Sequence, residues 1–407
     1  MKVVLAHTDF RIYWPPRLKA LRSFCAAHDT ELKVVEIAGK GSPYRFAGGS
    51  LAGDGWWTCL FPDSEIERVR PRSAAKALWS ALEAIRPDVV VAGAIAYTSG
   101  TTAVAWARAR RRAVVIGDDA RLADVPRNRL VNWVKRRICR NVDAMLLPAP
   151  SHVPDYGWFG VPRAKMFFGL DVVDNRFFRE KADEARRARA EMGRKRGLPE
   201  RFLLGVGRQT RRKNWGGLLR AWASFRGLRP QSDLGLVLVG NGPERAGLEE
   251  AARQSQDGRI LFRDFMDHNE LAVYYGLATA FVLPSHIGET WGLVVNEAMA
   301  AGLPVLVSRE CGCAQTLVKT GRNGWTFAAG DGPALSQVLV DLDRKDQGEL
   351  QEMGRHSREV IADWGLDRFC EGVWDAANYA RQGPKLRTKG IDRLILSAWK
   401  GRYRPAP

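Results

Sequence analysis

The sequence predicts an α/β protein built from two doubly wound parallel-sheet domains, and three observations predict it. The chain has 407 residues, too many for one ordinary core. Short β-branched runs alternate with longer helical patterns, an order that implies parallel strands joined by crossover helices. The alternation occurs twice, on either side of residues 179–197, which carry eight Arg or Lys and four Asp or Glu with few large apolar side chains, as suits an exposed connector or a solvated helix. The boundaries that follow are a first domain over 1–180, a connector over 181–198, a second domain over 199–370, and C-terminal helices with a basic tail over 371–407, which can return to the first domain.

In the first half the predicted order is strand "KVVLAH", helix 16–28, strand "ELKVVEIA", helix 73–85, strand "DVVVAGA", helix 101–111, strand "AVVIGD", helix 127–141 and strand "AMLLPA". The second half gives five strands, "RFLLGVG", "LGLVLVG", "RILFRD", "TAFVLPS" and "LPVLVS", again interleaved with helical stretches. Ligands of open α/β sheets bind beyond the carboxyl ends of the strands, so two such units are expected to face each other across a cleft that holds the chemistry.

Composition narrows the class. With 45% hydrophobic and 27% charged residues the chain has the balance of a globular protein. Met1 leads straight into the first strand with no secretion signal, and the uncharged stretch 89–107 is broken by Tyr97–Thr102, so a membrane span is not expected. The six cysteines form no C-x-x-C pair, which fits a reducing, cytoplasmic setting; Cys311 and Cys313, one residue apart, are poorly spaced for a tetrahedral metal. A net charge of +18 should attract polyanions, acidic membrane surfaces or phosphorylated substrates. The tail 384–407 has seven Lys or Arg and one Asp, with Ile391, Leu394, Ile395, Ala398 and Trp399 at helical spacing. Such a helix suits peripheral contact with an acidic membrane, and equally docking on the other domain.

The segment "FVLPSHIGETWGLVVNEAMAAGLPVLVS" (281–308) reads as strand, loop, helix and strand. The first turn of that helix, near Gly292, Leu293 and Val294, offers unsatisfied backbone N–H groups to phosphate or sugar hydroxyls, with Glu289 just before them. Glu297 lies four residues after Leu293 on the same face, in an apolar run; a buried carboxylate needs partners, either a ribose diol or a nearby Arg. In "GVGRQTRRKNW", Arg208 and Lys213 follow a strand and a glycine turn, where two cations would neutralise a diphosphate as a bond to it breaks; ordinary basic loop residues are the other reading. "LVLVGNGPE" adds a second glycine turn at Gly240.

Taken together, Glu289-x7-Glu297, Arg208 with Lys213, the "VGNGPE" turn and "NEAMAAGLPVLVS" resemble the nucleotide-sugar-binding domain of the family-4 retaining glycosyltransferases over about 203–330. "VKRRICRNVDAMLLPAP" and "GLDVVDNRFF" extend a looser likeness into the first half. The resemblance implies the GT-B fold of two Rossmann-like domains, and a hexosyltransferase using a UDP- or GDP-class sugar on a carbohydrate or lipid-linked acceptor. It implies that Glu297 holds the ribose, Glu289 the hexose, and Arg208 and Lys213 the diphosphate. Trp291, Gly292, Leu293 and Val294 would give backbone donors, and the base would lie near "FRDFM", beside Phe265, where Asp264 stands in place of the family's usual glycine. It further implies no metal and no cofactor beyond the nucleotide sugar as co-substrate.

The first half departs from the family, lacking a glycine pair after its first strand. Asp118 and Asp119 stand where the family's histidine is expected; they are candidates for the acceptor side, with helix capping as the plainer role. His7 and His152 are further candidates, and Trp14, Trp56 and Trp57 are placed in loops facing the cleft or its rim. The site is thus expected to use Arg208, Lys213 and Glu289 as catalytic residues, in polysaccharide or cell-envelope glycan synthesis. A nucleotide-sugar epimerase or phosphorylase of the same fold, and a basic nucleic-acid-binding protein, are the alternatives.

Overall fold

The computed structural model describes residues 1–41, 49–124, 128–384, 386, 388 and 390–401. The chain forms two compact units. The first is built from Met1–Leu122, the chain from Asn128 to Val172 and the C-terminal segment from Leu366; the second from Val173–Gly365 together with Ala123 and Asp124.

The first unit carries β1 (Lys2–His7), β2 (Glu31–Lys40), β3 (Trp57–Glu65), β4 (Val89–Ala92), β5 (Ala113–Gly117), β6 (Ala144–Leu147) and β7 (Met166–Phe168). They form one parallel sheet in the order β3-β2-β1-β4-β5-β6-β7. Every residue of β4, β5 and β6 is buried, which is why these strands read as unbroken apolar runs: helices cover both faces. On one face Leu78 and Leu82 of the Pro71–Ile85 helix, Val104 and Trp106 of Thr98–Arg110, and Ile138 of Arg129–Cys139 form a core. On the other, Leu18 and Leu21 of Trp14–Ala27 meet Phe369 and Val373 of Leu366–Gln382.

The tryptophans differ from expectation. Trp57 opens β3 and is buried, its indole Nε1 donating to Glu36 at 3.2 Å, and Trp14 is the first residue of a helix. Only Trp56 stays in a loop, packed against the core. Glu36 itself is fully buried on β2 and accepts from the backbone N–H of Phe10 at 2.8 Å and from the Ser50 hydroxyl; burial pushes its carboxyl above the ordinary range.

The second unit carries β8 (Phe202–Val206), β9 (Gly235–Val239), β10 (Ile260–Arg263), β11 (Ala280–Leu283), β12 (Val305–Ser308) and β13 (Gly324–Phe327), parallel in the order β10-β9-β8-β11-β12-β13. It has one strand more than the five expected. Of the two readings for the connecting segment, the helix is the one found, as Asn175–Arg187 and Arg189–Arg196. The side chain of Asp174 caps the first of these through the N–H of Phe177 at 3.0 Å, and Phe178, Ala182 and Ala185 bury its inner face. Its many charges are the solvent side of an amphipathic helix.

In both sheets the order in which strands are added reverses once, between β1 and β4 and between β8 and β11. At such a switch point the two neighbouring loops diverge and leave a crevice at the carboxyl ends of the strands.

Candidate active site

In the second unit the loops after β8 and β11 meet at the switch point. After β8 the chain makes a tight turn through Arg211–Lys213 and passes through Asn214 in the left-handed conformation (φ 56°) before the helix Trp215–Leu228. The buried Asn214 side chain donates to the carbonyls of Pro284 at 3.1 Å and Ala329 at 2.9 Å, tying this loop to the end of β11. The N–H of His286 closes the junction on the carbonyl of Arg212 at 2.7 Å. Lys213 is thereby carried to Glu289, its Nζ lying 2.5 Å from Glu289 Oε2 with both side chains about five-sixths buried. The Ser285 hydroxyl donates to the same oxygen at 3.0 Å.

Arg208 is exposed on the same loop and makes no ion pair with a described residue, while its carbonyl accepts from the Trp215 indole at 3.1 Å. Beside it, Gln209 is 1% exposed and neither side-chain polar atom has a hydrogen-bond partner among the described residues. No sequence signal marked Gln209, since an amide in a polar loop is unremarkable until its burial is known.

Glycine is required at two positions here. Gly240 has φ +134°, and a Cβ there would fall 2.1 Å from the carbonyl oxygen of Gly207, so the loops after β8 and β9 touch backbone to backbone. Gly292 has φ +105° and turns the chain into the helix Leu293–Ala300, whose amino end no side chain caps. The N–H groups of its first turn can therefore serve an anionic ligand. Trp291 is core: its indole donates to Asn296 at 2.9 Å and packs against Trp364.

Glu297 is fully buried, as its apolar surroundings suggested, and a tyrosine and a histidine approach it. The Tyr275 hydroxyl donates to Oε2 at 2.7 Å, and His268 Nε2 lies 3.7 Å from Oε1. Both come from the helix His268–Leu277, too far along the chain for spacing to reveal them. After β10, Phe265 is 47% exposed, and Asp264 accepts from the Asn241 amide at 3.2 Å and approaches Arg245 at 3.8 Å.

In the first unit the candidate residues lie at the end of β1 and in the segments after β5, β6 and β7. His7 ends β1, its Nδ1 within 3.2 Å of the Asp9 carbonyl and its ring against Phe10 and Trp14. Burial lowers its pKa, so the ring is neutral near pH 7. Asp118 Oδ1 accepts from the N–H of Ala120 at 3.1 Å, closing a turn; the helix that follows, Arg129–Cys139, is capped by Asn128, which corrects the capping expectation for Asp118. Burial, then repulsion from Asp119, pushes Asp118 up to about 6. Asp171, which sequence reasoning passed over, is also buried; burial first, then the charges of Asp119 and Asp118, push it to about 8 against the pull of Arg17. Asp119 is half-buried, and His152 is buried beside the Ser151 hydroxyl at 3.2 Å.

Two doubly wound parallel sheets, each with its own switch point, define the class as the GT-B fold, and solved structures agree. Sucrose-phosphate synthase from Thermosynechococcus elongatus superposes with a TM-score of 0.69 at 19% identity, covering 93% of this chain and 98% of that one. Anabaena HepE in complex with UDP and glucose gives 0.70 at 13% identity, covering 93% and 99%. Residues 200–344 match the family described as Glycosyl transferases group 1. The D-inositol 3-phosphate glycosyltransferase of Streptomyces avermitilis is 32% identical over 218 residues, 51% of this chain and 46% of that protein. The chain spans about half the length of the curated relatives it matches. The second unit is thus similar to the group 1 glycosyltransferases.

Proposed function

We propose that the protein is a retaining glycosyltransferase that moves a hexose from a UDP- or GDP-class nucleotide sugar to a carbohydrate or lipid-linked acceptor without a metal. The observation that carries this reading is the Lys213–Glu289 pair, 2.5 Å apart at the switch point and next to the uncapped helix end at Gly292. Arg208 and Lys213 act on the diphosphate, whose charge grows as the anomeric carbon–oxygen bond breaks, and cations fixed in advance stabilise that change. Glu289 accepts from hexose hydroxyls, while Ser285 holds its carboxylate in place. Leu293 and Val294 lend backbone N–H groups, Glu297 holds the ribose with Tyr275 fixing one carboxylate oxygen, and Phe265 stacks on the base. The departing diphosphate takes the proton of the attacking hydroxyl on the face it leaves, which gives retention.

The acceptor is assigned to the first unit, near His7, Asp118 and Asp119. The match of residues 200–344 supports transfer over the epimerase and nucleic-acid alternatives. Among the described residues no helix is long and apolar enough to cross a membrane. We place the protein in the cytoplasm, peripheral at the membrane face, in polysaccharide or cell-envelope glycan synthesis. Calorimetric titration with UDP, GDP and ADP sugars, beside Glu297→Gln, tests the donor site. Saturable binding of one nucleotide class that the variant loses is expected; equal affinity in both proteins would remove Glu297 from the ribose.

A further inference from the structure

The first unit holds a cavity of about 680 Å³, lined by none of the residues assigned to the transfer reaction. Its apolar wall is Trp79 of Pro71–Ile85, Ala105 of Thr98–Arg110 and Leu396 of the C-terminal helix Gly390–Ala398. Its charged lining is Arg108, Arg111, Arg393 and Lys400, with no carboxylate among the lining residues. Arg111, Arg393 and Lys400 form no ion pair with a described residue. The acid of the C-terminal helix, Asp392, is instead taken up by Arg137 at 2.5 Å. Arg108 is paired with Asp143, yet its Nε–H is buried with no acceptor among the described residues. Burial and the neighbouring Arg72 lower the pKa of Lys400, as expected for a cation held in the wall of a concave basic site.

The same helix displays large apolar side chains: Ile391 is 48% and Leu394 68% exposed, three residues apart on one face. The Arg137–Asp392 pair links it to Arg129–Cys139, where Leu130 (68%) and Trp133 (42%) are likewise exposed three residues apart. Exposed apolar groups interspersed with cations are the composition of a surface that seats in the headgroup layer of an anionic bilayer. Of the tail's basic residues Arg393 and Lys400 are described; Lys385, Arg387, Lys389, Arg402 and Arg404 lie outside the described residues.

We propose that this cavity is a binding site for the phosphate headgroup of an acidic phospholipid, with Ile391, Leu394, Leu130 and Trp133 entering the bilayer surface around it. This deepens the peripheral location given above and does not depend on the transfer activity.

The test is co-sedimentation of the full chain with vesicles of phosphatidylcholine alone and of phosphatidylcholine mixed with phosphatidylglycerol. Three proteins are compared: the native chain, Arg111→Glu/Arg393→Glu, and Arg220→Glu/Arg259→Glu, a control that reverses two exposed arginines on the second unit and matches the change in net charge. The native chain and the control should bind the mixed vesicles alike, and the cavity variant should fall by about tenfold or more, since each basic residue near such a surface contributes on the order of 1 kcal/mol. Equal losses in the cavity variant and the control would overturn the site, leaving only the overall charge. Binding of glycerol 3-phosphate without vesicle association would overturn the lipid as its source. Circular dichroism and donor titration of each variant report folding, and donor binding retained with vesicle binding lost separates this site from the transfer site.

Discussion

Asp171 offers the sharpest test of the first unit. Its carboxyl is pushed from the ordinary 3.8 to about 8, chiefly by burial and then by the negative charge of Asp119. The folded protein therefore keeps a proton that the unfolded chain releases near pH 4. The sign follows directly: stability associated with this group is fully present below pH 4 and is lost as pH rises toward 8, at about 1.4 kcal/mol per pH unit. Summed over that window the penalty reaches roughly 5 kcal/mol, a large share of the 5–15 kcal/mol that holds a typical domain folded. Asp171→Asn replaces the carboxyl with a neutral amide of nearly the same shape and abolishes the titration. Urea unfolding of both proteins from about pH 5 to about pH 9 should show the variant gaining on the native chain by about 1.4 kcal/mol per unit up to pH 8, then levelling. Asp118, pushed to about 6, is present in both proteins, so its own titration largely cancels from the difference. A difference that does not change with pH would refute the reasoning, because it would mean that Asp171 is ionised in the fold like any surface acid.

Four further outcomes are expected. Lys213→Ala should lower turnover by about 10²-fold or more, as removal of a fixed electrostatic stabiliser does; a change in donor affinity alone would make Lys213 a binding residue only. Gln209→Leu should leave stability equal or higher, because a buried amide without partners costs free energy, and should weaken donor binding by about tenfold if the amide meets the donor. Unchanged affinity in a stabilised variant would assign Gln209 no role there. Gly240→Ala should lower the urea midpoint sharply, since its Cβ would lie 2.1 Å from a backbone oxygen at a φ that disfavours side chains; a neutral result would show that the loop shifts freely. Tyr275→Phe should weaken donor binding less than Glu297→Gln does, since it removes one fixing hydrogen bond and leaves the carboxylate; an equal or larger effect would make Tyr275 the principal contact.

The candidate residues of the second unit could be picked out because they sit on contiguous stretches: Arg208 to Lys213 on one loop, Glu289 to Glu297 on one loop and helix. Local rules of turn chemistry and helix ends apply there. The pairing of Lys213 with Glu289 was not legible, since it depends on Asn214 tying two loops that are 70 residues apart. In the first half, β3 went unread because Pro62 interrupts it; an edge strand tolerates a proline that a central one would not. Asp171 and Glu36 were invisible for another reason. A lone acid in a sequence carries no mark of its depth, and only the packed sheet shows that each is buried and by what its charge is opposed.

The two switch points are alike in backbone and opposite in chemistry. In the second unit the crevice is bordered by Arg208, by Lys213 with its partner Glu289, and by the N–H groups after Gly292, a set with one cation in excess. In the first unit burial keeps His7 neutral at the end of β1, and the buried carboxyls of Asp118 and Asp171 follow β5 and β7. A phosphate placed among those carboxyls would meet repulsion, whereas a sugar hydroxyl would find acceptors, and in Asp171 near pH 7 a protonated group able to donate as well. The division follows from physical chemistry before any reaction is named. The charges of the second unit favour a nucleoside diphosphate, and those of the first favour a molecule recognised through neutral hydroxyls.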